Sequence, residues 1–295
     1  MIKKGIFGAV VLMLLAGLAL QLALRDNPAE EVNGERLRFE RNDQQLAVYQ
    51  LGPADGPVVV LLASFARSVS DFNTLAETLA EAGFHTVRIE ARGIGGSTLP
   101  DANPLLFDYA DDLAFVLESL KVSVPVALVG HAFGNRVARA FAARYPERVS
   151  KLLLLAAGDS PPPPETRNAI LTVMISIFPD SWRMKALQRA FFAPGSTPPA
   201  SWLRGWYPRA GLAQAYATAN SPKAQWVTAG PETPIVILQP EHDAAAAEGA
   251  QRLQQQLPDR VTVVPLAAAG HAILPEKPAE VAQFVLKHLK RENTL

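Results

Sequence analysis

Short strand-like runs alternate with segments of helical periodicity between residues 58 and 157, and this rhythm restricts the fold more than any other feature. The runs lie at 58–62, 84–89, 125–129 and 151–157, and most of them are continuously apolar, as in strands that a parallel sheet buries on both faces. A helix between consecutive strands implies right-handed crossovers. The sequence therefore predicts an α/β protein.

The same rhythm predicts how the chain is divided. Strand-like runs at 36–39 and 46–49 indicate an opening hairpin. Prolines at 161–164 then interrupt the pattern, and the following residues are irregularly helical and include all four tryptophans. We predict a mostly parallel eight-stranded sheet flanked by helices, with a helical cap inserted after the sixth strand. The predicted segments are a linker at 26–34, a core at 35–160 and 231–295, and a cap at 161–230.

Composition excludes several classes of function. Hydrophobic residues make up 49% of the chain and charged residues 19%, which suits a packed core rather than disorder. Lys and Arg together number 28, as do Asp and Glu, so the formal net charge is zero and nothing predicts nucleic-acid binding. The chain has no cysteine, which rules out a thiol nucleophile and thiolate zinc sites.

Residues 1–25 predict an uncleaved transmembrane anchor. Lys3 and Lys4 precede an apolar run over 5–24, and about 20 helical residues would span the roughly 30 Å of a bilayer's hydrocarbon core. A cleavable signal peptide is the alternative, but its apolar region is shorter and ends at a small-x-small site that this run lacks. Because lysines stay cytoplasmic, we predict a single-pass protein with its globular part on the periplasmic or extracytoplasmic side.

A predicted strand enters a predicted helix through the turn 130–134 (GHAFG). Two glycines at this spacing allow a sharp elbow, and the residue between them projects where backbone N–H groups face a reacting oxygen. Through this elbow, and through the segments 92–97 (RGIGGS), 239–243 (QPEHD) and 269–271 (AGH), the chain resembles the α/β-hydrolase fold family. The resemblance covers about residues 36 to 290.

The resemblance implies a role for each matching position. Ala132 occupies the nucleophile position, where hydrolases of the family carry Ser, Asp or Cys. His271 matches the catalytic histidine, and Asp243 matches the acid that orients it. The backbone N–H groups of Phe133 and Phe65 match the donors of an oxyanion hole. Together these residues form the predicted site.

Two other side chains are weaker candidates for this site. Ser64 would serve as a relocated nucleophile only if its loop aimed the hydroxyl at His271. Asp159 follows the sixth predicted strand and is a second candidate acid, although a role in a turn or helix cap ahead of the prolines is favoured. The functional assignment therefore depends mainly on Ala132, His271 and Asp243.

The sequence departs from the family pattern at three positions. Alanine at 132 has no nucleophile, so an ordinary acyl-enzyme mechanism at this position is excluded. Residues 63–65 (ASF) replace the His-Gly of many members, and Glu90 stands where a shorter Asp is usual. Three changes around one pocket indicate divergence, while an engineered substitution at Ala132 is the alternative explanation.

We therefore predict a hydrolase-like or lyase-like enzyme without a serine nucleophile, in which His271 and Asp243 activate water or remove a substrate proton. The alternative is a non-catalytic ligand-binding or interaction protein, a pseudo-hydrolase. A cap rich in tryptophan suggests a small apolar or aromatic ligand. No cofactor or metal is implied, and the other predicted partner is a membrane, through residues 5–24.

Overall fold

Eight strands form a single sheet in the computed structural model, which describes residues 14–28, 31–99, 102–246 and 248–290. They are β1 (Glu35–Arg41), β2 (Gln44–Leu51), β3 (Val58–Leu62), β4 (His85–Ile89), β5 (Val126–His131), β6 (Val149–Leu155), β7 (Ile235–His242) and β8 (Val261–Gly270). Their spatial order is β1-β2-β4-β3-β5-β6-β7-β8. The pairs β1–β2 and β2–β4 are antiparallel and all others are parallel, so the predicted mostly parallel eight-stranded sheet is confirmed.

Helices connect the strands and cover both faces of the sheet. They are α1 (Asn73–Glu81), α2 (Leu106–Ser119), α3 (Phe133–Arg144), α4 (Pro164–Met174), α5 (Asp180–Phe191), α6 (Pro208–Asn220), α7 (Lys223–Trp226), α8 (Gly249–Gln256), α9 (Ile273–Glu276) and α10 (Pro278–Leu289). Residues 14–23 are also helical.

The continuous apolar runs reflect burial on both faces of the sheet. Val60 and Leu62 belong to the core beneath α2 and α3, whereas Val59 and Leu61 belong to the core beneath α1 and α10. Successive side chains of a strand point to opposite faces, so a strand covered on both sides needs an apolar residue at every position. The runs therefore mark the centre of the sheet.

Two helices are preceded by turns in which a side chain accepts backbone N–H groups. Ser68 accepts the N–H of Ser70, which produces a 3-10 turn over Val69–Phe72 before α1. The carboxylate of Asp243 accepts the N–H groups of residues 245 and 246, which form a turn after β7, and α8 begins at Gly249. In both cases a local hydrogen bond competes with the helix.

Helices α4 to α7 lie between β6 and β7, at the position where the sequence predicts a cap. Trp202 and Trp206 pack with Phe191 in the core of this helical insertion, whereas the side chain of Trp182 is exposed. Asn27, in the predicted linker, donates its backbone N–H to the carbonyl of Trp206 at 2.9 Å. The segment that precedes the sheet is thus attached to the insertion.

The prediction of a membrane anchor is wrong. None of the helices in the described part of the chain has both the length and the apolar character that a membrane crossing requires. Of the predicted span, residues 14–24 are described, and 14–23 of them are helical. The rest of the predicted span, residues 5–13, lies outside the described residues. The single-pass localisation and the membrane partner are therefore not retained.

Candidate functional site

The residue at the nucleophile position, Ala132, lies in a sharp turn between β5 and α3. Its φ is 48° and its ψ is −105°, a conformation that L-residues rarely adopt. Glycine is needed on both sides, since a Cβ on Gly130 would lie 2.6 Å from the carbonyl oxygen of Gly134. A Cβ on Gly134 would in turn lie 2.6 Å from the carbonyl carbon of Leu62 and even nearer its oxygen. The elbow keeps its strained geometry although alanine brings no reactive group.

Hydrogen bonds on both sides hold the elbow in place. The N–H of Ala132 donates to the carbonyl of Leu155 at 3.1 Å, which ties the turn to the end of β6. The carbonyl of Ala132 accepts the side-chain amide of Asn135, whose own oxygen accepts Nη2 of Arg139 at 2.7 Å. All four residues are buried. The strained conformation is therefore determined by its surroundings rather than by residue 132 itself.

The predicted histidine and acid lie together at the ends of β7 and β8. Nδ1 of His271 is 2.9 Å from Oδ1 of Asp243, and the two side chains are only 7% and 1% exposed. The same carboxylate oxygen accepts the N–H groups of Ala245 and Ala246 at 2.9 and 2.8 Å. Burial alone would raise the pKa of Asp243, but His271 and these backbone donors outweigh burial, so the pKa is lowered. The carboxylate is thus ionised at neutral pH and fixes the imidazole by Nδ1, leaving Nε2 for chemistry.

Two side chains, those of His131 and Glu276, hold the backbone around His271. The carbonyl of His271 is 2.9 Å from Nε2 of His131, the residue that precedes the elbow alanine. The carboxylate of Glu276 accepts the N–H of Gly270 at 2.6 Å and the N–H of Ala193 at 2.9 Å. Glu276 therefore joins the histidine loop to the end of α5 in the helical insertion.

The loop after β3 lies beside the elbow, where the family pattern places an oxyanion hole. The close approach of Gly134 to Leu62 brings the end of β3 against the start of α3, whose first residue is Phe133. The first N–H groups of a helix have no acceptor within the helix, so the N–H of Phe133 is suited to a ligand. Phe65 lies three residues after Leu62 on the same loop. The two predicted donor residues are thus brought to neighbouring segments.

A buried side chain of the insertion fixes this loop. Oε1 of Gln214 on α6 accepts the N–H of Ala66 at 2.7 Å, and Gln214 is fully buried. One turn earlier, a Cβ on Gly211 would lie 3.0 Å from Cβ of Ala66. The helical insertion therefore packs directly on the segment that carries Phe65.

The two weaker candidates are not drawn into this arrangement. Ser64 is buried, and within the described ranges its hydroxyl makes no hydrogen bond with His271. Asp159 pairs with Lys223 at 2.6 Å and with Arg252 at 2.7 Å rather than with a histidine. Neither residue replaces a member of the predicted dyad.

The candidate site is nearly enclosed. The side chain of His271 is 7% exposed and Ala132 is 9% exposed. The ring of Phe191, from the insertion, lies 5.9 Å from the His271 ring, centroid to centroid. The surroundings of the imidazole are therefore apolar on the side of the insertion.

Among the described residues, His, Asp and Glu do not gather in groups of three that could hold a metal ion.

Two buried groups near this site, His131 and Glu90, have shifted pKa values, and the two shifts change stability with pH in opposite directions. Burial, with a smaller contribution from His271, lowers the pKa of His131 from 6.5 to about 4. Burial raises the pKa of Glu90 from 4.5 to about 7, although Ser68 donates to its carboxylate and Val69 donates its backbone N–H at 3.1 Å. His131 is thus neutral and Glu90 largely protonated in the folded protein at pH 6.

These shifts predict opposing slopes in the pH dependence of stability. Between pH 4 and 6.5 the unfolded chain binds the proton at His131, so this residue lowers the free energy of unfolding by about 3 kcal/mol as pH falls. Between pH 4.5 and 7 the folded protein binds the proton at Glu90, so this residue lowers the free energy of unfolding by about 3 kcal/mol as pH rises. Urea unfolding of Glu90→Gln should therefore show stability lost toward acid, and His131→Gln should show stability lost toward neutral pH. Profiles for both variants that run parallel to the wild type would contradict the assignment.

The chain has the α/β-hydrolase fold. A family model described as the alpha/beta hydrolase fold matches residues 57–184, which include β3 to β6 and the elbow. An esterase from Thermogutta terrifontis has a similar structure, with a TM-score of 0.70 and 21% identity, over 87% of this chain and 98% of that one. The sheet order, the elbow and the positions of His271 and Asp243 are consistent with this fold.

Curated relatives resemble only part of the chain. A bifunctional esterase/perhydrolase from Acinetobacter calcoaceticus is 35% identical over 36% of this chain, and a cis-3-alkyl-4-alkyloxetan-2-one decarboxylase from Shewanella oneidensis is 37% identical over 28%. These matches span 38% and 27% of the relatives' own lengths. The comparisons therefore show the fold, and they leave the reaction to be argued from the site.

The contacts that connect the site to the insertion could not have been read from the sequence. Gln214 is 148 residues from Ala66, and nothing in the sequence around either residue links them. Glu276 follows His271 by five positions, but a single Glu at the end of a short helix carries no distinct signal. Both are found only once the insertion is folded over the sheet.

Proposed function

We propose that this protein is an enzyme that hydrolyses a small acyl compound by direct attack of water, without a covalent intermediate on residue 132. The observation that carries the proposal is the 2.9 Å contact between His271 Nδ1 and Asp243 Oδ1, beside an elbow whose nucleophile position is occupied by alanine. A carboxylate-oriented imidazole is a competent general base near neutral pH. The named activities of the relatives, esterase and decarboxylase among them, are consistent with chemistry at an acyl centre.

The reaction needs one water molecule and no other reactant. Nε2 of His271 takes a proton from the water as its oxygen attacks the carbonyl carbon, and Asp243 stabilises the imidazolium that results. The tetrahedral intermediate places its negative charge on the former carbonyl oxygen. When that intermediate collapses, the bond to the leaving group breaks and the imidazolium returns the proton to it. Because Ala132 carries only a methyl group, the attacking water occupies the space that the nucleophile's oxygen would fill.

Backbone donors stabilise the intermediate. The N–H of Phe133 at the start of α3 and the N–H of Phe65 on the loop after β3 donate to the oxyanion. Gln214 fixes this loop through the N–H of Ala66 and so positions the second donor. The charge that develops is held by groups that do not have to move.

The helical insertion, residues 161–230, acts as a cap on a core formed by 35–160 and 231–295. Phe191 lies next to the His271 ring, and Phe65 is partly buried on the opposite segment. An acyl group with apolar or aromatic carbon atoms next to the reacting carbonyl suits these surroundings. The low exposure of His271 implies that the cap moves when the substrate enters.

The same low exposure favours a second candidate function. A protein whose elbow carries a methyl group and whose histidine is 7% exposed is also suited to retaining a ligand without turning it over. In this alternative the dyad maintains the shape of a binding pocket. The two candidates differ in whether His271 is required for a reaction.

Replacement of His271 by alanine tests the proposal. We expect His271→Ala to lower kcat/KM for short esters and lactones by about 10²- to 10⁴-fold, because the general base is lost. His242→Ala is the matched control, since that side chain is 42% exposed and lies one residue before Asp243. Mass spectrometry of the protein during turnover should detect no acyl adduct. Equal rates for His271→Ala and wild type, or no turnover of any substrate by the wild type, would contradict an enzymatic role.

A further inference from the structure

We propose that a basic cluster at the carboxyl end of β6 binds an oxyanion, either a carboxylate or a phosphate. The basic cluster consists of Arg136 and Arg139 on α3, Lys223 on α7 and Arg252 on α8. These four cations surround the loop after β6. That the oxyanion is a group of the substrate rests on the proposed function, whereas binding of the free anion does not.

The cluster carries more positive charge than its own carboxylates neutralise. Both oxygens of Asp159 are engaged, one by Lys223 at 2.6 Å and the other by Arg252 at 2.7 Å. The second carboxylate, Glu248, pairs with Arg252 at 3.1 Å. In the described part of the chain these are the carboxylates within 4 Å of the cluster's nitrogens, so four cations face two anions. A net excess of two positive charges in partly buried surroundings favours an added anion.

Arg136 is the member of the cluster with free donors. Its Nη2 donates to the carbonyl of Ser160 at 3.0 Å, and no carboxylate of the described residues lies within 4 Å of its nitrogens. Burial lowers the pKa of Arg136 to about 10, although Asp159 acts in the opposite direction. A guanidinium has five N–H donors in a planar fork that matches carboxylate or phosphate. Most of these donors are therefore available to a ligand.

Arg139 adds a second charge, which is more deeply buried than that of Arg136. It is 1% exposed, and its Nη2 donates to the carbonyl of Gly158 at 2.8 Å. Its Nε is one of the buried nitrogens without a hydrogen-bond partner in the described ranges. Burial, and then repulsion from Arg136, lower the pKa of Arg139 to about 9. An anion bound to the cluster would relieve this repulsion.

Two connections place the cluster beside the candidate active site. Nη2 of Arg139 donates a hydrogen bond to the side-chain oxygen of Asn135, and the side-chain amide of Asn135 donates to the carbonyl of Ala132. On the other side, a Cβ on Gly158 would lie 2.9 Å from Cβ of Ala246, whose N–H donates to Asp243. An anionic group held by the cluster would therefore lie near both the elbow and the acid of the dyad. The ligand class that follows is a small acyl compound with a carboxylate or phosphate.

Binding of inorganic phosphate tests the anion site without requiring turnover. Titration calorimetry at constant ionic strength, with chloride as the reference salt, should detect phosphate binding to the wild type and at least tenfold weaker binding to Arg136→Gln. Arg144→Gln is the matched control, since Arg144 lies on the same helix with its side chain 41% exposed and paired with Asp111. Arg136→Lys, which keeps the charge, should retain part of the affinity. Equal affinity for Arg136→Gln and wild type, or no binding beyond chloride, would overturn the proposal.

A pair of esters identifies the source of the anion. The monomethyl ester of a dicarboxylic acid should have a KM at least tenfold lower than a neutral methyl ester of equal length, and Arg136→Gln should abolish this preference. Phosphate binding without any ester preference would assign the site to a free anion. Phosphate binding without turnover of either ester would retain the anion site and reject the proposed function. The two proposals therefore fail separately.

Discussion

Replacing Ala132 by serine is expected to give an esterase that forms an acyl-enzyme, with kcat about 10²- to 10³-fold above that of the native protein. The backbone at residue 132 already has the strained φ of 48° that projects a nucleophile from the elbow. His271, held by Asp243 at 2.9 Å, would take the serine proton. In a triad enzyme, loss of the nucleophile or of the histidine costs on the order of 10⁶ in kcat, and the oxyanion hole and binding still supply about 10³ to 10⁴ over water. A burst of p-nitrophenol from the acetate ester and a mass increase of one acetyl group would detect the intermediate.

Two variants separate the nucleophile from other effects of the substitution. Ala132→Gly removes the methyl group and relieves the positive φ but adds no hydroxyl, so no burst is expected. Ala132→Ser combined with His271→Ala keeps the hydroxyl but lacks the base, so acylation should fall by several orders of magnitude. If Ala132→Ser folds and shows neither burst nor adduct, the imidazole is not directed at residue 132. That result would also remove the basis for water activation at the same position.

The fold and the dyad were predictable because their signals are local or follow the family order. The strand runs are apolar at every position because both faces of the sheet are covered, and this can be read directly from the sequence. The elbow is encoded by two glycines four residues apart, since a side chain on either would collide with backbone. Asp243 and His271 are 28 residues apart, and only their places after two strands indicated that they meet.

The anchor was predicted wrongly and the basic cluster was not predicted, because neither outcome can be read from a short stretch of sequence. The apolar run at 5–24 has the composition of a membrane span, but none of the described helices has the length and apolar character of one. The basic cluster was missed because Arg136 and Arg252 come from helices more than a hundred residues apart. Each residue alone is typical of a solvated helix surface. Only their convergence on the loop after β6 creates an excess of charge.

Replacing Gly134 by alanine is expected to lower the free energy of unfolding by about 3 kcal/mol or more. The added Cβ would lie 2.6 Å from the carbonyl carbon of Leu62 and 2.8 Å from the carbonyl oxygen of Ala63, and even nearer the oxygen of Leu62. All three atoms belong to the backbone at the end of β3, so no side chain can move aside to accept the methyl group. Alanine is more favourable than glycine in a helix by about 1 kcal/mol. The energetic cost of the collision must therefore exceed this gain before the free energy of unfolding falls. Urea unfolding monitored by circular dichroism gives the difference.

The control for this variant must change glycine to alanine without a collision. Gly195→Ala meets that requirement because nothing lies within 4 Å of its added Cβ, although its φ of +85° should cost about 1 kcal/mol. A loss for Gly134→Ala no larger than that for Gly195→Ala would mean that β3 and α3 are farther apart than described. The N–H groups of Phe65 and Phe133 would then be too far apart to hold one oxyanion. The close contact at Gly134 is therefore the structural condition on which the proposed oxyanion hole depends.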